Sequence, residues 1–299
     1  GYESLRQLNP GLIYCEVSGF GRTGPYAHRG GFDLIAQGMS GLMSITGEAP
    51  GRQPVKVGAP ISDITAGIVA AMGIAAAYAH KLKTGQGQKV DTSLFEAAIT
   101  HTYWQSAIAF ATGDSPQAMG SAHPLNAPYQ AFQTADGWIN IGAANQANWE
   151  RMLTLIEAAE LNDDPRFSSN AMRIENRVVL AETLSLVFLK HSTAHWLEAF
   201  EKAGVPAGPV LSITEMHADP QALAREMIVS TDHPLAGEVK TIGHPVKFSE
   251  TPGGVKRPAP LMGQHTAEVL REIGYSESEI VAMAAAGVIK LADSPTQSQ

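Results

Sequence analysis

Asp63 is the carboxylate best placed for chemistry. It lies in Val57-Gly58-Ala59-Pro60-Ile61-Ser62-Asp63-Ile64-Thr65-Ala66-Gly67, where a loop meets an alanine-rich stretch of helical character. One reading is structural: Asp is a favoured N-cap that accepts an orphan helix N–H and contributes about 1 kcal/mol. The other is chemical. The free N–H groups of a helix start favour and aim a negative charge, which suits a nucleophile, and Ala66 and Gly67 leave room for a reactant. A second candidate is Gly19-Phe20-Gly21-Arg22-Thr23-Gly24, a literal G-x-G-x-x-G following a β-like run. That phosphate cradle needs a helix directly behind it, and an acidic residue about 20 positions on. Pro25 and His28-Arg29-Gly30-Gly31 follow instead, so the expectation is a tight glycine turn able to touch a ligand. Cys15 sits in an apolar strand without a cationic neighbour in sequence, which fits an inert buried thiol better than a nucleophile. His123, in Gly120-Ser121-Ala122-His123-Pro124-Leu125-Asn126, reads either as a solvated loop histidine or as part of a mobile lid. His191 and His195 are separated by the helix-start signal Ser192-Thr193, so they are not expected on one helical face. With no Cys or carboxylate to complete a ligand set, no metal is expected. No G-x-S-x-G elbow, Walker loop or H-E-x-x-H occurs.

These residues need elements to hold them. The apolar run Leu12–Val17 predicts a strand, Phe32–Met43 a helix ending near Gly41, and Ser62–Lys83 a long helix. That helix closes at Thr84-Gly85, with Lys81 and Lys83 complementing its C-terminus. Lys89–Ser93 predicts a strand feeding a helix over Leu94–Thr112. Residues 113–128 are rich in Gly, Pro, Ser and Ala and read as a linker. Beyond it, Tyr129–Phe132 and Trp138–Ile141 flank Ala135-Asp136-Gly137, a hairpin signal. Helices are expected over Gln146–Ala159, Arg177–Lys190 and Thr193–Ala203. The turn Gly204–Pro209, a short strand and a helix over Ile213–Ala218 follow. Asp232–Gly254 reads as extended, Thr266–Ile273 as a helix with an amphipathic segment behind it to Lys290, and Ser294–Gln299 as frayed.

Composition narrows the function classes. The chain of 299 residues suggests about two domains at ~150 residues each. Apolar residues make up 44% and charged residues only 17%, so long disorder is not expected. A net charge of −8 offers no basic face for nucleic acid, and one cysteine cannot form an intrachain disulfide. The most apolar stretch, Gly67–Ala79, reads as too short for a bilayer, and no charged-then-apolar leader opens the chain. The expectation is a cytoplasmic protein without membrane contact. Gly1-Tyr2-Glu3, with no Met and a strand close behind, does not read as a natural start.

The spaced motifs carry a resemblance. Asn9–Tyr14 runs into Ser18–Pro25; Phe32–Gln37 is followed by Ser40–Ser44 and Thr46-Gly47. Asp63 with Ala66-Gly67, Lys83–Asp91, Pro128-Tyr129-Gln130, Asp136-Gly137, Gly204-Val205-Pro206, Gly208-Pro209 and Gly263–Thr266 complete the set. Together they resemble the family III CoA-transferases, which include formyl-CoA and carnitine CoA-transferases and α-methylacyl-CoA racemase. The resemblance implies movement of CoA from an acyl-CoA thioester, with succinyl-CoA as a candidate donor, to a carboxylic acid. Asp63 is then the nucleophile, working through aspartyl anhydride and aspartyl-CoA intermediates. Phe32, Asp33, Gln37, Gly120 and His123 are then expected at the substrate, and Gly19, Gly21 and Arg22 at CoA, a cosubstrate rather than a resident cofactor. The racemase branch uses a histidine just before the position of Asp33; Phe32 stands there and cannot carry a proton. An isomerase or a non-catalytic CoA-binding protein remain the alternatives. The implied fold is α/β: a doubly wound, Rossmann-like large domain from 1–112 and 245–299, a linker and small domain over 113–225, a linker over 226–244, and an interlocked homodimer. Relative to that family, a stretch of the large domain on the order of 100 residues is expected before Gly1. Apolar surface should lie exposed where its strands would pair.

Overall fold

A computed structural model describes residues 1–292; the expected fraying of Ser294–Gln299 falls outside them. The chain divides into two compact units, Gly1–Val210 and a second from Leu211 onward.

The first unit opens with α1 (Tyr2–Leu8), which the sequence reading did not foresee, and β1 (Tyr14–Ser18). The helix expected to end near Gly41 does so as α2 (Asp33–Met39), and an unforeseen short helix, α3 (Leu42–Ile45), follows. They part where Gly41 takes φ +87, a left-handed conformation that costs glycine little. The long helix α4 spans Ile61–Thr84 and ends on Gly85 at φ 74, with Lys81 and Lys83 in its last turn. β2 (Lys89–Ser93) pairs parallel with β1, Tyr14 opposite Lys89 and Ser18 opposite Ser93. The helix expected over Leu94–Thr112 divides into α5 (Leu94–Thr100) and α6 (Tyr103–Thr112). At the break the Thr100 and Thr102 hydroxyls donate to the Ala97 and Ile99 carbonyls, competing with the helix ladder.

α4 packs against α5 and both strands through alanines: Ala66, Ala70 and Ala77 are buried on α4, and Ala97 and Ala98 on α5. Its 24 residues are long and apolar enough, by length and composition, to cross a membrane. The helix contains the apolar run Gly67–Ala79 and extends beyond it at both ends. Only 22% of its most apolar window is buried. Large apolar side chains on it and on α6, such as Ile68, Met72, Tyr103 and Phe110, face outward.

After the loop through Pro128, β3 (Tyr129–Gln133) and β4 (Trp138–Gly142) form the expected hairpin. β5 (Ala207–Pro209), inside the segment read as a turn, adds antiparallel to β4. Around this sheet stand α7 (Gln146–Leu155), α8 (Asn170–Glu175), α9 (Arg177–Phe188) and α10 (Thr193–Ala203). α7 stops short of Ala159, a 3₁₀ turn covers Ala159–Asn162, and α8 was not foreseen. Their core is dense and aromatic: Phe132, Trp149, Phe167, Phe188 and Phe200 are each at most 2% exposed.

In the second unit, α11 (Ile213–Ala218) and α12 (Pro220–Ala224) precede β6 (Ile228–His233) and β7 (Gly237–Ile242), an antiparallel hairpin within the stretch expected to be extended. α13 (Thr266–Glu272) and α14 (Glu277–Ala285) close it; a Ser276–Glu279 capping box starts α14.

Candidate active site

The carboxyl end of β1 is where the candidate residues begin to meet. Past Ser18, the Gly21 N–H donates to Ser18 Oγ at 3.0 Å and the Phe95 N–H donates to the Gly19 carbonyl at 3.1 Å. A Cβ on Gly19 would lie 2.8 Å from the Gly31 Cα, so two backbones touch here and only glycines fit. That contact delivers Phe32 and Asp33, the next residues in chain, to the end of the strand. Arg22, exposed in the glycine turn, pairs with Glu16 on β1 at 3.3 Å, and Glu16 also pairs with Lys89 on β2. The bond from Lys89, helped by its charge and that of Arg22, holds the Glu16 carboxyl below its usual range despite the cost of desolvation.

From Asp33 the contacts run on to Ser62, the residue before Asp63. The Ser62 N–H donates to Asp33 Oδ1 at 2.9 Å, Gln37 Nε2 donates to Asp33 Oδ2 at 2.7 Å, and the Val57 N–H donates to Gln37 Oε1 at 2.9 Å. Gln37 and Ser62 are completely buried. The N-cap position of α4 belongs to Pro60, which offers no side-chain acceptor, and Asp63 is the third residue of the helix. This corrects the capping reading: the carboxylate that serves the start of α4 is Asp33, reaching over from α2. Asp63 is thereby left exposed in the first turn, its carboxylate without a hydrogen-bond partner among the described residues. Phe32 is 80% exposed.

Gly120 and His123 belong to a second cluster. The Gly120 N–H donates to the Gly47 carbonyl at 2.8 Å, the Ala131 N–H to Ser121 Oγ at 2.9 Å, and the His123 N–H to the Tyr129 carbonyl at 3.0 Å. The His123 ring is half-buried, edge-on to Trp104 at 5.0 Å and Tyr129 at 5.2 Å, so it is not the freely solvated histidine of one reading. Two open cavities flank this loop. One of about 730 Å³ lies between Thr46–Val55 and Gly120-Ser121; one of about 650 Å³ lies between Met119–Ala122 and α9, with Arg177 and Glu182 in its wall. No hydrogen bond among the described residues links this cluster to Asp63.

Residues 1–266 match the family described as CoA-transferase family III. This chain belongs to that family. Among curated relatives, succinate–glutarate CoA-transferase of Agrobacterium fabrum is 40% identical over 272 residues, covering 91% of this chain and 68% of that protein. Human succinyl-CoA:glutarate CoA-transferase is 35% identical over 290 residues, covering 97% and 66%. The crystal structure of a CAIB/BAIF family protein from Brucella suis superposes with a TM-score of 0.78 at 37% identity, covering 91% of this chain and 71% of that one. The chain spans about two thirds of the length of the curated relatives it matches.

In this family III chain, the base of the loop before β3 is held by residues that carried no signal of their own. Asn170 on α8 accepts from the Ala127 N–H at 3.1 Å and donates to the Leu125 carbonyl at 3.0 Å. Arg173, completely buried, donates to the Ala127 and Phe167 carbonyls at 2.8 and 2.9 Å and to Gln146 Oε1 at 3.1 Å. Its guanidinium lies 4.8 Å from the centre of the Trp149 ring. Burial lowers its pKa. Cys15 is half-buried rather than fully enclosed. The rings of His191 and His195 stack at 4.2 Å although α10 starts between them, so helical phase alone was a poor guide to that pair.

Proposed function

We propose that the protein transfers CoA from an acyl-CoA thioester to a carboxylic acid, with Asp63 as the nucleophile. The observation that carries this reading is the state of Asp63: exposed, free of hydrogen bonds among the described residues, and in the first turn of a 24-residue helix whose start is capped by a different carboxylate. The names of the curated relatives support succinyl-CoA as donor and a dicarboxylate as acceptor.

A carboxylate suits the task because it keeps the thioester's activation. Asp63 attacks the donor's thioester carbonyl; the C–S bond breaks, leaving an acyl-aspartyl anhydride and CoA thiolate. The thiolate attacks the Asp63 carbonyl carbon and releases the donor acid, leaving an aspartyl-CoA thioester. The acceptor carboxylate attacks this thioester and expels the thiolate, forming a second anhydride. The thiolate then takes the acceptor's acyl carbon and frees Asp63. Water must be excluded while the anhydrides exist. In this reading Gly120 and His123 belong to the shielding loop and contact substrate with Phe32, while Gly19, Gly21 and Arg22 approach CoA. A doubly wound large domain, a smaller middle domain and an interlocked homodimer belong to the same proposal.

Asp63→Asn is expected to lower CoA transfer by on the order of 10³-fold or more, as loss of a covalent nucleophile does. Incubation with succinyl-CoA followed by hydroxylamine should label the peptide holding Asp63. A label on another residue, or an active Asp63→Asn protein, overturns the assignment.

A further inference from the structure

Four side-chain atoms tie α2 to the approach to α4, and each has one partner. Asp33 Oδ1 takes the Ser62 N–H and Asp33 Oδ2 takes Gln37 Nε2, while Gln37 Oε1 takes the Val57 N–H. The pair thus grips the backbone on both sides of Pro60, whose ring carries no acceptor for the helix start. Gln37 is completely buried, as is Ser62, the residue before Asp63. The four atoms also have a fixed polarity. A carboxylate at 33 obliges the Gln37 amide to turn its NH₂ toward it, which leaves Oε1 for Val57.

From this we infer that Asp33 and Gln37 are positioning residues, which register the first turn of α4 and so set where the Asp63 carboxylate stands, without touching substrate themselves. The inference rests on the proposed role of Asp63. It departs from the expectation that these two side chains meet substrate, because their polar atoms are already engaged in holding the chain. A displacement of about 1 Å at a reacting group costs up to ~10²-fold in rate, so the effect falls on kcat rather than on affinity.

The polarity supplies the test. Asp33→Asn sets two NH₂ groups against each other, and Gln37→Glu sets two carboxylates against each other. Asp33→Asn combined with Gln37→Glu reverses the donor and acceptor between the two residues yet preserves all three bonds, including those to Ser62 and Val57. Each single variant should lose about 10- to 100-fold in kcat with KM for succinyl-CoA and glutarate nearly unchanged. The combined variant should return to within about threefold of the parent. The Gln37→Glu protein should regain rate as pH falls, because a protonated carboxyl donates as the amide did. Folding is followed by thermal unfolding, and rates are expressed per folded protein. A combined variant that is folded but as slow as the singles overturns the inference, as does a change in KM at constant kcat. If Asp63→Asn remains active in the same assay, the nucleophile assignment fails instead, and the two failures are told apart.

Discussion

Between Ala127 and Val205 the chain buries Phe132, Trp149, Phe167, Phe188 and Phe200; between Gly1 and Gly113 the apolar residues it buries are Ala36, Ala66, Ala70, Ala77, Ala97, Ala98 and Leu42. The first region gains its cohesion from apolar area removed from water, at about 25 cal/mol per Å². The second obtains little from area. Alanine faces let α4 lie close against α5 and the strands, and named polar contacts such as Asp33 to Ser62 then fix the register. Meanwhile Ile64, Ile68, Met72, Trp104 and Phe110 remain exposed there. The residues assigned to nucleophilic chemistry sit in the region held by close approach and hydrogen bonds, where a shift of register is cheap in area and costly in geometry.

Three measurements bear on this contrast. Phe188 is completely buried, with its ring within 5.2 Å of those of Phe132 and Trp196. Phe188→Ala is expected to cost about 3–5 kcal/mol in urea unfolding. A loss below 1 kcal/mol would erase the distinction between the regions. Next, Ala98→Leu adds three carbons at a completely buried position of α5, the helix that packs against α4 and α2, for about 1–3 kcal/mol of overpacking. Its larger effect should be on CoA transfer, through displacement of α4; unaltered transfer at reduced stability would argue that α4's position is not critical. The smallest effect is expected at Asp136. Its carboxylate accepts from the Thr193 N–H at 2.7 Å and from the Thr193 hydroxyl at 2.9 Å, which lowers its pKa. A lowered pKa gives stability that is present above the unfolded value of about 3.9 and is lost as pH falls through the folded one. The stability gap between the parent and Asp136→Asn should therefore be widest near neutrality and close below about pH 4. A gap independent of pH would show that charge is not what Asp136 contributes.

The sequence made some of this legible and hid the rest for identifiable reasons. The ends of α4 were readable because Lys81, Lys83 and Gly85 are local signals, and the β3–β4 hairpin because Asp136-Gly137 separates two apolar runs. The placing of Asp63 at a helix start was also readable, but not the partner that caps that start. Asp33 is thirty residues away, and its bond to Ser62 is a tertiary contact that no local pattern encodes. The helix end at Gly41 was readable from the glycine, whereas the short helix after it and the break at Thr102 were lost because apolar periodicity continues through them while the backbone does not. α8 was missed for its length of 6 residues, and with it Arg173, whose charge in a polar-looking stretch gave no sign of complete burial.

Among the described residues no carboxylate pairs with Arg173, which has a consequence for how the two regions answer to their solution. Its acceptors are the Ala127 and Phe167 carbonyls and the Gln146 amide, and its face rests on Trp149. None of these titrates, and a group so enclosed is poorly screened by dissolved ions. The exposed Arg22 pairing with Glu16 loosens as ionic strength rises. The joint between α8 and the start of β3 does not, so salt is a reagent that relaxes one end of this unit while leaving the other as it was.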